Sequence, residues 1–423
     1  MSKRNREPTA RGRSLVGERY VVTTGRVGHG GFVVARHRDV VVFVRHALPA
    51  ERVEVVVTEG DEGSRFLRAD AVRVLEASAD RVEAPCPYAG PGLCGGCDFQ
   101  HVALPAQRAL KAEVVREQLV RLAGIPVVAS VEPVSSVEPV ETHVPVEPVE
   151  TTGLGWRTRV QFAVDDEGRA GLRKHRSHDV IPVDRCLIAH PDLPDPVVEV
   201  RGASRASKPP VDSAIIETVV SGTGERLRLV TGRDGTTYAD GPEMLHERAL
   251  GRVWQVRGSS FWQVHPGAAE TLAHAVLAML EPRAGEHALD LYAGVGLFSG
   301  ALAQSVGPGG RVTAVEADGL AAADAAANLA DLPHVDVVAD RVDRALRRGL
   351  LGSSVDLVVL DPPRTGAKRR VVERIAALAP RAMAYVACDP AALARDVAIF
   401  AERGYQLSAL RAFDLFPMTH HVE

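Results

Sequence analysis

Cys388 stands where a nucleophile would be useful. The run Ala382 to Ala387 is apolar and reads as a strand, and Asp389-Pro390 stops it. A thiol there lies at the carboxyl end of a strand, where open α/β sheets gather their chemistry. Cysteine also serves as a small inert core residue, so its neighbours decide the matter. A second apolar strand, Val355 to Leu360, delivers Asp361, and Pro362-Pro363-Arg364-Thr365-Gly366 follows. Two prolines stiffen that loop and remove backbone donors. Such a loop suits a site carried on a rigid scaffold better than a plain connection. A third group is Phe416-Pro-Met-Thr-His420-His421-Val-Glu423. Adjacent histidines on a strand face opposite sides and do not share an ion. Glu423 is the candidate base.

A nucleoside-binding pattern lies upstream. Ala288-Leu-Asp290-Leu-Tyr292-Ala-Gly294-Val-Gly296-Leu-Phe-Ser299 is a strand, a tight glycine turn and the start of a helix. A second strand, Arg311 to Val315, ends in Glu316, an acid placed to take a ribose hydroxyl pair. Glycines at the turn let backbone approach a ligand. A nicotinamide dinucleotide and S-adenosylmethionine both suit this pattern. Ser299 holds the place of the third glycine of the dinucleotide fingerprint, which favours the methyl donor.

The other four cysteines form a set. Cys86, Cys94 and Cys97 crowd together among glycines, and Cys186 is remote. Four thiolates suit zinc or an iron–sulfur cluster. Three close and one distant favours iron–sulfur over the paired spacing of zinc ribbons. An odd total of five cysteines does not suggest a disulfide framework.

These residues need elements to hold them, and the 423-residue chain is long enough for several domains. Residues 1–13 are a basic tail expected to be disordered. Short β-branched runs between glycine turns predict a small β-barrel over 14–77. Residues 78–126 hold the crowded cysteines and a helix from Pro105 to Leu122, ended by Gly124 and Pro126. A Val-Glu-Pro-Val repeat over 127–153 predicts a disordered or polyproline-like insertion. Residues 154–250 read as a β-rich central domain. From 251 to 423 strands and helices alternate, as in a parallel sheet. The formal charge of -4 argues against a generally basic nucleic-acid coat. No apolar run approaches the ~18 residues of a membrane span, and no apolar signal core follows the basic tail. A cytoplasmic protein without membrane contact is expected, with a monomer as the default.

Taken together, these motifs resemble the S-adenosylmethionine-dependent RNA 5-methyluridine methyltransferases, and more closely the branch acting on large ribosomal RNA. The resemblance spans nearly the whole chain. It implies a Rossmann-like class I methyltransferase domain, an N-terminal OB-like TRAM barrel that binds RNA, and a β-rich central domain carrying a 4Fe-4S cluster on Cys86, Cys94, Cys97 and Cys186. Phe261-Trp-Gln263-Val matches a motif of the cofactor and substrate pocket. The implied cofactor positions are Gln263, Tyr292, Gly294, Gly296, Glu316, Asp340 and Asp361. Cys388 matches the nucleophile and Glu423 the proton acceptor. The TRAM module and the cluster favour 23S rRNA over tRNA as substrate.

The implied reaction has Cys388 add to carbon 6 of uracil, which lets carbon 5 take the methyl group. Glu423 then removes the carbon-5 proton. Asp361 and Gln263 would hold the uracil edge and the cofactor amine, and Arg157, Arg159, Arg364 and Arg370 would hold phosphates. Relatives often have a polar residue where Leu297 stands. They carry asparagine where Asp389 stands, and a carboxylate beside Cys388 is expected to raise the thiol's pKa. Glu423 is the last residue of the sequence, and a frayed end positions a base poorly. The alternatives are a tRNA uridine methyltransferase, a catalytically weak RNA-binding paralogue, or a nicotinamide-dependent oxidoreductase.

Overall fold

The computed structural model describes residues 12–134, 152–193, 213–352 and 354–423. They form two compact units. One contains the chain up to Leu110 with Arg173–Ile181 and Met418–His420. The other contains Lys111–Leu172, Pro182–Pro417 and His421–Glu423.

In the first unit five strands close into a barrel, in the order Arg19–Gly28, Phe32–His37, Val40–Arg45, Phe66–Glu76, Arg52–Glu59. Alternate side chains point inward: Val33 and Ala35, Val42 and Val44, Val53, Val55 and Val57, Leu67 and Ala69 are all buried. Each buried valine contributes roughly 1.5–3 kcal/mol, so the β-branched runs close the barrel. Glu51 is fully buried beneath it. It accepts from Leu48 N at 2.8 Å and Ser78 N at 3.1 Å, and pairs with Arg81 at 2.6 Å. A buried carboxylate without that pairing would be strongly destabilising.

Among the described residues the second unit carries an antiparallel sheet, a parallel sheet, a hairpin and a two-stranded parallel pair. Five antiparallel strands lie in the row Thr237–Asp240, Arg226–Gly232, Ser213–Val220, Arg159–Val164, Ala170–Arg173. A parallel sheet follows, in the order Val335–Ala339, Arg311–Glu316, His287–Leu291, Leu357–Leu360, Ala382–Tyr385. Its strands are apolar on both faces because both are covered. Ala288, Leu357 and Val359 join one core with Leu272, Val276 and Leu302, while Leu289, Val358 and Leu360 join another with Val372, Ile375 and Ile399. His287–Leu291 comes first in the chain and lies mid-sheet, with Arg311–Glu316 on one side and Leu357–Leu360 on the other. That reversal of direction opens a crevice at the strands' carboxyl ends, where ligands bind in such sheets.

Two sequence expectations need correction. Val131–Pro133, placed in a structureless repeat, is a strand pairing in parallel with Ala412–Asp414. Arg411 clamps Glu132 at 2.6 Å across that pair, and proline is tolerated on such a short edge strand. The rest of the repeat, residues 135–151, and the tail up to residue 11 lie outside the described residues. The border drawn between 250 and 251 falls in the turn of one hairpin, Met244–Ala249 with Arg252–Arg257. The expected helix is present as Leu104–Gln118, with its last turn a π turn over Leu119–Ala123, and it ends at left-handed Gly124 as expected.

Candidate active site

The glycine turn follows His287–Leu291 at the centre of the parallel sheet. Tyr292, Gly294 and Gly296 all have positive φ, +68°, +55° and +96°. Tyrosine pays a steric cost there that glycine does not, and such strain clusters where a backbone is shaped for a ligand. Tyr292 N and Ala293 N both donate to Val315 O, at 3.0 and 3.1 Å. Gly294 N donates to Glu316 Oε2 at 2.8 Å, and the other Glu316 oxygen accepts from Asp318 N at 2.7 Å. Turn and acid are therefore one hydrogen-bonded unit. A Cβ on Gly296 would lie 2.8 Å from Leu329 Cδ1, so the turn packs closely on the next helix, Gly319–Asn328.

Asp290 belongs to this site although its motif was read as plain strand. It is completely buried. Ser299 donates to it at 2.6 Å, and its other oxygen has no hydrogen-bond partner. Burial, aided by the charge of Glu316 and opposed by Ser299, pushes its carboxyl up to about 6. Asp361 ends the neighbouring strand, its N–H donating to Leu291 O at 3.3 Å. Burial and then Asp290 push Asp361 up to about 7. Two buried carboxyls pushed up in this way, Asp361 partly by Asp290, with one orphan oxygen on Asp290, are chemically suited to a cation. The amine and sulfonium of S-adenosylmethionine have that chemistry, and the donor set fits it.

The thiol stands at the sheet's edge. Ala382–Tyr385 leads to Cys388, and the helix Pro390–Glu402 begins two residues later. Burial pushes the Cys388 thiol up to about 11, with Glu423 and Asp361 adding to the rise and Arg364 opposing it. Glu423 is itself pushed well up, first by burial and then by Asp361, and Arg364 again opposes. Cys388, Glu423, Asp361 and Arg364 thus share one electrostatic neighbourhood. Asp389 is not what raises the thiol. Its carboxylate turns to the helix start and accepts from Ala392 N at 2.7 Å, the ordinary role of an N-cap aspartate. Nor is Glu423 frayed. It exchanges both backbone hydrogen bonds with Phe413, at 2.8 and 3.2 Å, and Val422 beside it is buried.

The remaining expected residues are less tightly gathered. Gln263 is partly exposed in the loop before the helix Ala268–Leu280. Val264 O beside it accepts from both Thr158 N and Thr158 Oγ1, at 2.9 and 3.0 Å. Asp340 accepts from Arg341 N at 2.8 Å and pairs with Arg344 and Arg348 at 3.4 and 3.5 Å. Its carboxylate is committed to the helix Val342–Arg348. Arg159, expected to hold phosphate, pairs with Glu217 at 2.9 Å and donates to Ser260 O. Arg364 bears on the thiol and on Glu423, lowering both.

Among the described residues no group of three or more Cys, His, Asp or Glu side chains is placed to hold a metal ion. Turn hydrogen bonds shape the Cys86–Cys97 segment instead: Ala89 N donates to Cys86 O and Cys94 N to Tyr88 O, both at 3.0 Å. Gly96 N and Gln100 Nε2 donate to the Cys94 and Cys97 sulfurs at 3.4 Å.

Residues 243–423 match the family model described as tRNA (Uracil-5-)-methyltransferase, and residues 13–72 match the TRAM domain. A protein of Streptomyces avermitilis described as an uncharacterized RNA methyltransferase is 49% identical over 96% of this chain and 97% of its own length. The 23S rRNA (uracil(1939)-C(5))-methyltransferase RlmD of Acidithiobacillus ferrooxidans is 31% identical over 92% of each chain. Pyrococcus abyssi tRNA (uracil-54, C5)-methyltransferase, solved with S-adenosyl-L-homocysteine, superposes with a TM-score of 0.67 at 20% identity, covering 95% of this chain and 98% of its own. At that identity the shared property is the fold. Fold and site define an α/β methyltransferase preceded by a TRAM barrel. The chain belongs to the S-adenosylmethionine-dependent RNA (uracil-5-)-methyltransferase family.

Proposed function

We propose that this protein methylates carbon 5 of a uridine in 23S rRNA through a transient covalent bond between Cys388 and the uracil. The observation that carries the mechanism is the shared neighbourhood of Cys388, Glu423, Asp361 and Arg364. The choice of 23S rRNA is supported by the ribosomal relatives, RlmD of Acidithiobacillus ferrooxidans and RlmD of Shewanella amazonensis, the latter 29% identical over 94% of this chain.

Carbon 5 of uracil is a weak nucleophile. Cys388, as thiolate, adds to carbon 6 and places an enolate across the ring. The methyl donor, when bound, supplies an electrophilic methyl group whose sulfur leaves as a neutral thioether. Glu423, as carboxylate, takes the carbon-5 proton, and Cys388 then departs as thiolate. Both groups must be ionised, and burial opposes that in the resting site. A cation beside Asp290 and Asp361 favours their ionised forms, and Arg364 does the same for Cys388 and Glu423. Glu316 and the Gly294 backbone are proposed to hold the ribose end, with Tyr292, Gly296 and Gln263 lining the donor's place. Asp340, tied to its arginines, would contribute through its backbone turn. The uridine must be unstacked to reach the thiol, and the barrel is proposed to hold the flanking RNA.

Cys86, Cys94, Cys97 and Cys186 remain proposed ligands of a 4Fe-4S cluster on their spacing alone, and no step of the reaction uses it. Iron and acid-labile sulfide measured per chain after anaerobic purification decide that point. We place the protein in the cytoplasm as a monomer, and among the described residues no helix is long and apolar enough to cross a membrane. The test of function is methyl transfer from labelled S-adenosylmethionine to unmodified 23S rRNA, 16S rRNA and tRNA. Label on one uridine of 23S rRNA is the expected result. Label on tRNA alone overturns the substrate.

A further inference from the structure

One buried acid close to the thiol has no part in the reaction above. Asp396 lies on the helix Pro390–Glu402 and is 4% exposed. Its Oδ2 accepts from Ala367 N at 2.6 Å, from Lys368 N at 3.3 Å and from the Tyr385 hydroxyl at 2.8 Å. Tyr385 ends the edge strand three residues before Cys388. Ala367 and Lys368 follow directly on the loop that starts at Asp361 and carries Arg364. So one carboxylate joins the strand before the thiol, the helix after it and the far end of that loop.

The loop is shaped for this contact. Gly366 has φ +76°, and a Cβ there would stand 2.7 Å from Asp396 Oδ2. Lys368 holds φ +71° without being glycine, a conformation that persists only where surrounding contacts impose it. Gly366 N closes a turn onto Pro363 O at 2.8 Å. The near end of the loop is fixed by Asp361 N on Leu291 O, and the two prolines leave little freedom between. Three donors converge on this single buried oxygen. The far end is therefore set largely by Asp396.

We propose that Asp396 is a positioning residue: by tying Ala367, Lys368 and Tyr385 together it holds Arg364 in place against Cys388, while Asp361 stays fixed at the loop's near end. This rests on the methyltransferase reading of the site. The charged groups that bear on Cys388 are Glu423, Arg364 and Asp361, and Arg364 outweighs Asp361. Releasing the loop withdraws the one cation of that set.

The test uses the full chain, with Asp396→Asn and Tyr385→Phe. The first readout needs no RNA: iodoacetamide labelling of Cys388, followed by peptide mass spectrometry across a pH series. The midpoint is expected to move to higher pH in Asp396→Asn and by a smaller step in Tyr385→Phe. The second readout is single-turnover methyl transfer. It is expected to fall about tenfold in Asp396→Asn and about threefold in Tyr385→Phe, with donor affinity changed by less than about twofold, the pattern of a lost transition-state interaction. A wild-type labelling midpoint in both folded variants overturns the proposal, even if their melting temperatures drop, because Asp396 is then only a brace. If Asp396→Asn does not fold, Tyr385→Phe decides alone by the same midpoint. If the wild type transfers no methyl group, the functional reading fails, while the labelling series still decides the role of Asp396.

Discussion

The two walls of the site are built by opposite means. The donor wall, Tyr292 to Gly296 with Glu316, is held by backbone: positive φ angles, N–H groups on Val315 O, and Gly294 N on the acid itself. The thiol wall, from Asp361 through Cys388 to Glu423, is held by side chains that burial and mutual charge push away from their ordinary ionisation. The first wall is braced by its own backbone hydrogen bonds. The second is poised, because its reactive forms are the ones its surroundings disfavour when no cation is present. On the proposed function, a site divided this way would couple donor binding to activation of the nucleophile.

Substitutions of Cys388 and Glu423 should abolish chemistry and spare donor binding. Cys388→Ala is expected to leave no turnover above background, while calorimetry shows donor affinity within about twofold of wild type. Turnover near the wild-type rate would break the division at its root. Glu423→Gln is expected to slow turnover by about 10²–10⁴-fold, the usual contribution of a positioned base, as measured by release of free methylated RNA under multiple-turnover conditions.

The coupling between the walls has a pH signature. Asp290 and Asp361 bind a cation only as carboxylates, and they ionise near 6 and 7. Donor affinity should therefore rise as pH passes from 5.5 to 7.5, by about tenfold per carboxyl at most over one pKa unit, and level off above. Asp290→Asn should remove the lower part of that rise. A flat calorimetric affinity across this range would show that the raised carboxyls do not meet the donor's charge.

The smallest effect is expected on the donor wall's stability. Gly296→Ala forces a side chain into left-handed backbone at a cost of about 1–2 kcal/mol, and its Cβ approaches Leu329 to 2.8 Å. The melting temperature and donor affinity should fall, while the pH profile of Cys388 labelling stays that of the wild type. A shifted labelling profile would mean the walls are not separable.

The same contrast explains what could be read without coordinates. The donor wall is local: a strand, two glycines and an acid 22 residues past Gly294, joined by a single hydrogen bond. The barrel was legible for a related reason, since alternating valines report an inside and an outside. Asp290 was passed over because a carboxylate within an apolar strand looks like an interruption. The clue was Ser299, nine residues on and in reach of it. Asp396 left a better clue, as an acid on the apolar stripe of its helix, with buried Ala392, Val397, Ile399 and Phe400 around it. Asp389 was misjudged because sequence adjacency to Cys388 says nothing of where a capping side chain turns. The strand Val131–Pro133 was invisible because its partner, Ala412–Asp414, lies some 280 residues away. Periodicity cannot report a pairing so remote.

The most direct measurement is on Glu423→Gln, incubated with 23S rRNA and S-adenosylmethionine and resolved under denaturing conditions. With the base removed, the methylated uracil cannot lose its carbon-5 proton and should stay bonded to the protein. Mass spectrometry of the shifted species should find a methyluridine on the peptide containing Cys388. A methyluridine product released at the wild-type rate, with no protein–RNA species on Cys388, would contradict the covalent route and the role of Glu423 together.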